Sequence, residues 1–462
     1  MARRGVVVIV AVVAIAVAAA ALLFREKSDA ARPNIVLILV DTLRRDHVGA
    51  YGYTRATTPT IDTLAGNVMF ADAYSNSNWT KPSVASLLTG LYVSQHGVTH
   101  VLTSLEGQPP MTQKLPDEVT TLAEALKAKG YATVAVVDNV HISAKLGFSQ
   151  GFDVWDENNH AATVVTNDVL YRLEQVKGPF FLYVHYFDAH APYNSTRLFD
   201  SRARVQPDRM STEEVSKDQR WSTYTYGVDR GLVGLSPIER ERLVELYDGN
   251  VRSVDTGIAR IIETLRNKRF FANSWIIVTA DHGENFYENR RLTHPHDCFA
   301  NPQVRVPLVM KMPDALAVKD RTIADQVELV DIAPTILSYV GATVPAGMVG
   351  LDLLPAIIDR QPLAARAVPA ESESGKMLLA EGDKYVVVPT KAGDFRFVYD
   401  ERRDPLEEHN LSGSDPQLVA KLKSQYDELA DAARRKQTVK AASGVALSKE
   451  EVERMRALGY IH

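Results

Sequence analysis

A chain of 462 residues has room for one large domain and a smaller companion, and its 45% hydrophobic and 24% charged content is that of an ordinary globular protein. The net charge of −5, with Lys and Arg scattered and no basic block, argues against a nucleic-acid partner. The single cysteine, Cys298, excludes an internal disulfide framework and a cysteine-based metal cluster.

Gly5 to Phe24 carry no charge and are almost all Val, Ala, Ile and Leu. As a helix this run rises about 30 Å, enough to cross a bilayer core. Arg3 and Arg4 precede it and favour an N-terminus in the cytoplasm. The other reading is a cleaved signal peptide with an Ala-rich exit near Ala18 to Ala21, for which the apolar stretch is long. Residues 1–30 are thus expected to be a membrane anchor or signal segment. The rest then lies in the periplasm or outside the cell, anchored by an N-terminal transmembrane helix, or secreted after cleavage.

After a polar tether, Asn34 to Val40 reads as a fully buried strand that ends in Asp41. Thr57 to Ala65 has helical spacing. The next stretch runs Trp79-Thr80-Lys81-Pro82-Ser83 and on to Gly90. Pro82 suits the first position of a helix, Gly90 its C-cap, and Thr80 the helix mouth, where free N–H groups favour an anion. Alone, a Thr in this place is most often just a cap. Leu115 to Lys129 is amphipathic, Gly130 to Val137 reads as a strand leading to Asp138 and His141, and Phe180 to Tyr186 as a buried strand. Asp188 and His190, two apart on an extended chain, are expected to point the same way. Ser195 to Leu235 lacks a period and reads as a lid that carries substrate identity.

Ser236-Pro237-Ile238-Glu239 is a capping box opening a helix to about Arg266. Trp275 to Ala280 is a second buried strand, releasing Asp281-His282-Gly283-Glu284, and carboxylates at the ends of buried strands sit where open α/β sheets hold ligands. Thr293-His294-Pro295-His296 follows, and Cys298 reads as a small buried thiol. Val304 to Met310 is another strand, and a helix starts near Val330. Beyond Pro355, Met377–Ala380, Lys384–Val388 and Phe395–Tyr399 form a short antiparallel set. The division is 31–355 for the catalytic domain and 356–462 for a C-terminal subdomain.

The strand ending in Asp41, the Thr80-x-Pro-x-x-x-x-x-x-Thr-Gly helix and the distal Asp281-His282-Gly283 together resemble the sulfatases of the alkaline-phosphatase superfamily. So do Asp41 to Gly52, His185 to Tyr193, Tyr399 to Leu411 and Arg456 to Ile461. The resemblance implies an α/β fold: a large mixed, mostly parallel sheet flanked by helices, with a small antiparallel sheet and helix at the C-terminus. It implies a substrate-facing role for His141, His190 and His294 or His296, with His296 preferred. The Tyr247-Asp248 pair is read as structural. Thr42 stands where many sulfatases have a second Asp, and Val84 where the motif has Arg.

Asp41, Thr80, Asp281 and His282 make a mostly oxygen ligand set with one imidazole, suited to one divalent ion (Ca, Mg, Mn or Zn). Asp188, His190 and His296 leave room for a second. Sulfatases with Cys or Ser at the position of Thr80 convert it to formylglycine, whereas oxidised threonine would be a ketone. Thr80 is therefore expected to act unmodified, as a metal-activated nucleophile on sulfate or phosphate esters. The substrates in view are small-molecule, lipid-headgroup or glycan esters. The alternatives are a phosphoethanolamine-type transferase or phosphodiesterase, and an inactive membrane-tethered anion-binding homologue.

Overall fold

The computed structural model describes residues 32–99, 110–157, 161–193, 225, 227–436 and 443–457. Its centre is Asn34–Val40 (β1), whose side chains are all buried, as a strand covered on both faces requires. Seven further strands join it: Val68–Tyr74 (β2), Ala132–Val137 (β3), Val154–Glu157 (β4), Phe180–Tyr186 (β5), Ser274–Thr279 (β6), Arg305–Lys311 (β7) and Arg321–Glu328 (β8). Their order across the sheet is β8-β2-β7-β6-β1-β5-β3-β4. Only β7 runs against its neighbours, so the sheet is mixed and mostly parallel, as the sequence suggests.

Helices Pro59–Ala65 (α1), Ala162–Gln175 (α4) and Pro237–Asn267 (α5) pack together. Thr80–Thr89 (α2), Leu122–Ala128 (α3) and Ile332–Tyr339 (α6) form a second group. The capping box expected at Ser236 and Glu239 opens α5. Helix α3 is shorter than its amphipathic run, starting only at the Thr121–Glu124 capping box. Pro116 disfavours helical backbone at Leu115, which leaves the stretch before the box outside the helix.

The C-terminal strands are Val368–Glu371 (β9), Lys376–Ala380 (β10), Asp383–Val388 (β11) and Phe395–Asp400 (β12), an antiparallel meander. Its two faces alternate. Val368, Ala370, Met377, Leu379 and Val386 pack on Tyr74, Phe299 and Val304. Leu378, Ala380, Tyr385 and Val398 pack on Leu422, Tyr426 and Ala430 of helix Pro416–Arg435 (α7).

Among the described residues no helix is long and apolar enough to cross a membrane. The apolar run at 5–24, most of the expected lid (194–224) and the last five residues lie outside the described residues.

Candidate active site

Strands β5, β1 and β6 are adjacent and parallel, with Leu39 level with His185 on one side and Thr279 on the other. The residues just past β1 and β6 therefore leave the same sheet edge. These are Asp41 and Asp281-His282, all fully buried. Ligand atoms of Asp41, Asp281 and His282 lie within 4.8 Å of one another, the one such group among the described residues.

Asp41 Oδ2 accepts hydrogen bonds from Asn139 Nδ2 at 2.7 Å and His185 Nε2 at 3.3 Å. Asp281 Oδ1 accepts from the backbone N–H of His282 at 2.9 Å and of Thr42 at 3.2 Å. The other oxygens, Asp41 Oδ1 and Asp281 Oδ2, are buried with no hydrogen-bond partner, and lie 3.8 and 3.6 Å from His282 Nε2. Nδ1 of His282 donates to the Gly283 carbonyl at 2.8 Å, which leaves Nε2 a lone pair. Two carboxylate oxygens without donors and one free imidazole lone pair fit a divalent cation, because buried anionic oxygens without a counter-charge are costly. Burial works against the charge on Asp41, but the His185 hydrogen bond and the surrounding imidazoles hold its carboxyl below the usual range. Asp281 is pushed up by burial and by the neighbouring Asp41.

Thr80 is the first residue of α2, whose N-cap is Trp79. The sequence put Pro82 at that first position. It is instead the third helical residue, still within the first turn, where a missing N–H costs nothing. The Thr80 hydroxyl lies 3.3 Å from His282 Nε2 and 3.4 Å from Asp41 Oδ2, so the side chain faces the carboxylates and not only its helix. Gly90 closes the helix at φ +63°, as a left-handed C-cap requires. Thr42 also has a positive φ, +54°, with a buried hydroxyl that finds no partner. Such backbone in a β-branched residue is a local strain at the site.

A ring of aromatic and basic side chains surrounds this group. His294 lies 4.6 Å from His282 and 4.8 Å from His190, between ring centroids. His296 stacks on Trp79 at 4.7 Å and pairs with Glu373 at 3.0 Å, and His141 meets the edge of Trp79 at 5.7 Å. Burial lowers the His190 imidazole to about 4 and holds His141 and His294 well below their ordinary value. All three are neutral at neutral pH. Lys81 is fully buried, its ammonium donating to Thr112 and pushed down to about 7 by that burial.

The sulfatase family profile matches residues 33–342, and a second profile, N-sulphoglucosamine sulphohydrolase, C-terminal, matches 286–432. The chain belongs to the sulfatase family. It is an ester hydrolase of the sulfuric ester type by that membership. The chain is similar to a Delta 4,5-hexuronate-2-O-sulfatase of Bacteroides thetaiotaomicron, 24% identical over 87% of this chain and 88% of the relative. It is also similar to human N-sulphoglucosamine sulphohydrolase, 25% identical over 74% and 69% respectively. A solved 2-O GAG sulfatase shares the fold with a TM-score of 0.70, 19% identity and coverage of 91% and 99%. The phosphonate monoester hydrolase of Agrobacterium radiobacter does so at 0.67, with 19% identity and coverage of 90% and 100%.

Within this sulfatase framework the expectation for Asp188 and His190 fails. Asp188 and His190 do not point the same way, because the chain turns there: the His190 N–H bonds the Phe187 carbonyl at 2.8 Å. Asp188 accepts from the Ala162 N–H at the start of α4, while His190 stacks on Phe187 at 4.4 Å beside His294. With His296 on Glu373, no second metal group is assembled from Asp188, His190 and His296. Cys298 is half-buried, and burial pushes its thiol up to about 11, away from the thiolate form. Tyr247 and Asp248 tie α5 to the loop after β1: Tyr247 OH donates to the Thr42 carbonyl at 2.9 Å and accepts from the Arg44 N–H at 2.7 Å, and Asp248 holds His47 at 2.8 Å. Sequence reasoning missed His185, Asn139 and Lys81. The signals were a histidine inside an otherwise apolar buried strand and a lysine on the heels of Thr80.

Proposed function

We propose that this sulfatase-family enzyme hydrolyses sulfate or phosphate-type esters with Thr80 as an unmodified nucleophile. The observation carrying this is the Thr80 hydroxyl, 3.4 Å from Asp41 Oδ2 beside two partnerless carboxylate oxygens. Asp41, Asp281 and His282, with Thr80, would hold one divalent ion. Bound there, such an ion would lower the hydroxyl pKa and polarise an ester oxygen. Asp41 Oδ2 accepts the Thr80 proton as Oγ1 bonds to sulfur or phosphorus and the bond to the leaving oxygen breaks. His294, whose ring stands beside that of His282, and His190 next to it are the imidazoles to supply a proton to the departing alcohol, and an anionic ester among them raises their proton affinity from its depressed value. Water then cleaves the Thr80 ester.

The relatives named above support a sulfated glycan as substrate, and the phosphonate monoester hydrolase fold keeps phosphorus esters in the test. Matched nitrophenyl sulfate, phosphate monoester and phosphodiester, given to purified protein with added calcium, magnesium, manganese or zinc, decide the ester class. Thr80→Ala is expected to lower kcat by on the order of a thousandfold or more at unchanged melting temperature. Near wild-type turnover in that variant would remove Thr80 from the reaction, and no turnover of any ester would favour an anion-binding homologue. Residues 5–24 support an anchored enzyme outside the cytoplasm. Alkaline phosphatase fused after residue 33 is expected to be active, and an inactive fusion would place the site inside.

A further inference from the structure

A cavity of about 710 Å³ is not lined by any of the candidate catalytic side chains. Its walls are the loop after β1 (Arg44 to His47), Arg240 of α5, the Phe286 to Asn289 turn, Ala300 to Arg305, and the 405–408 loop of the C-terminal part. Its volume is in the range of small-molecule sites. Most charges on its walls are already matched. Arg44 binds Asp46 at 2.7 Å and Glu288 at 3.0 Å, Arg240 binds Glu288 at 3.1 Å, and Glu407 is taken by Lys384. Arg305 reaches Asp72 at 2.7 Å, though its Nε is buried without an acceptor.

Arg45 differs. Its guanidinium lies over the Tyr51 ring at 4.5 Å, its Nε is buried with no acceptor, and among the described residues no carboxylate pairs with it. Burial, and then the like charge of Arg305, disfavour its cation, against the opposite pull of Tyr51 and Asp72. Two guanidiniums on one wall that share a single carboxylate, Asp72, are the arrangement a second anion relieves, and the planar fork of Arg suits sulfate or carboxylate oxygens. Glu408, also on the wall, is exposed to water.

We propose that this cavity is a second, non-catalytic site for an anionic saccharide unit, whose sulfate or carboxylate rests on Arg45 and Arg305. The saccharide part rests on the function proposed above; the anion part does not. The cavity also adjoins the reaction centre through Arg44, whose Nη1 donates to the Glu284 carbonyl two residues past His282. A sulfated glycan held here would keep a polymeric substrate near the site between turnovers, which acts on KM rather than kcat.

The test uses the purified full chain with a sulfated disaccharide and with inorganic sulfate, by titration calorimetry. Thr80→Ala is the background, so that the sugar is not consumed. Two saccharides per chain are expected. Arg45→Met should remove one or weaken it about tenfold or more, the loss of a charge-assisted hydrogen bond, while Arg45→Lys keeps it. In the otherwise wild-type enzyme Arg45→Met should leave kcat on nitrophenyl sulfate unchanged and raise KM for a sulfated oligosaccharide. One saccharide per chain, indifferent to Arg45→Met, would overturn the site. Inorganic sulfate filling the Arg45-dependent site as tightly as the disaccharide would overturn its saccharide character. Loss of nitrophenyl sulfate turnover in the unmutated enzyme would strike the proposed function alone.

Discussion

At the scale of single residues, the site depends on how one carboxylate is divided. Asp41 gives Oδ2 to Asn139 and His185 and leaves Oδ1 bare toward His282 Nε2. The His185 ring is itself fixed, with Nδ1 3.1 Å from Tyr183 OH. These partners orient the carboxylate for a cation without touching the cation themselves, the part that outer hydrogen bonds play around metal ligands. His185→Gln is therefore expected to weaken divalent-ion affinity about 10–100-fold, read by titration with calcium or manganese, while the chain stays folded. Unchanged affinity would make His185 a packing residue only.

At the scale of elements, β1 and β6 were legible because continuous apolar runs of strand length have few other homes, and their acidic ends followed at once. The start of α2 was misplaced by two residues, since Pro is accepted anywhere in a first turn and the sequence cannot choose among its positions. The pairing of Asp41 with its helpers was not legible, because His185 and Asn139 arrive from the ends of β5 and β3, far away in sequence, even though a histidine in an apolar strand was itself a signal. Asp188 is the clearest lesson: it faces the start of α4 and not the reaction centre. Burial there outweighs the Ala162 N–H and raises its carboxyl from 3.8 to about 6. A raised carboxyl means the folded chain holds this proton more tightly than the unfolded one. The native state is therefore penalised increasingly as pH climbs from about 4 through 6, and fully above that. Asp188→Asn keeps an acceptor for Ala162 and removes the charge. It is expected to stabilise the protein at pH 7.5 by about 3 kcal/mol and to do nearly nothing at pH 4, by melting at the two values. Equal effects at both would mean that the carboxyl is not carrying its charge into the core.

At the scale of the whole molecule, the site joins parts of the chain that are distant in sequence: β1, α2, β6 and, through Glu373 on His296, the turn between β9 and β10. The C-terminal sheet is held to the main one by Arg366, which pairs with Glu328 at 2.9 Å and with Asp331, while Tyr426 OH ties α7 to β9 by donating to Glu371 at 2.7 Å. A cation seated on Asp41, Asp281 and His282 would therefore tie the ends of adjacent strands together and relieve two buried carboxylates that face one another in its absence. It binds the folded chain and has no such cluster in the unfolded one, so occupancy appears as stability, about 2.7 kcal/mol at a hundred times the dissociation constant. Chelator treatment is expected to lower the melting temperature by several degrees, and the correct divalent ion to restore it. Asp281→Asn should abolish the response to added ion while itself melting no lower than the chelated wild type, because removing one charge also removes the repulsion with Asp41. A melting temperature indifferent to chelator and to all four ions would mean that no divalent ion seats on these carboxylates, and that Thr80 must be activated by Asp41 alone.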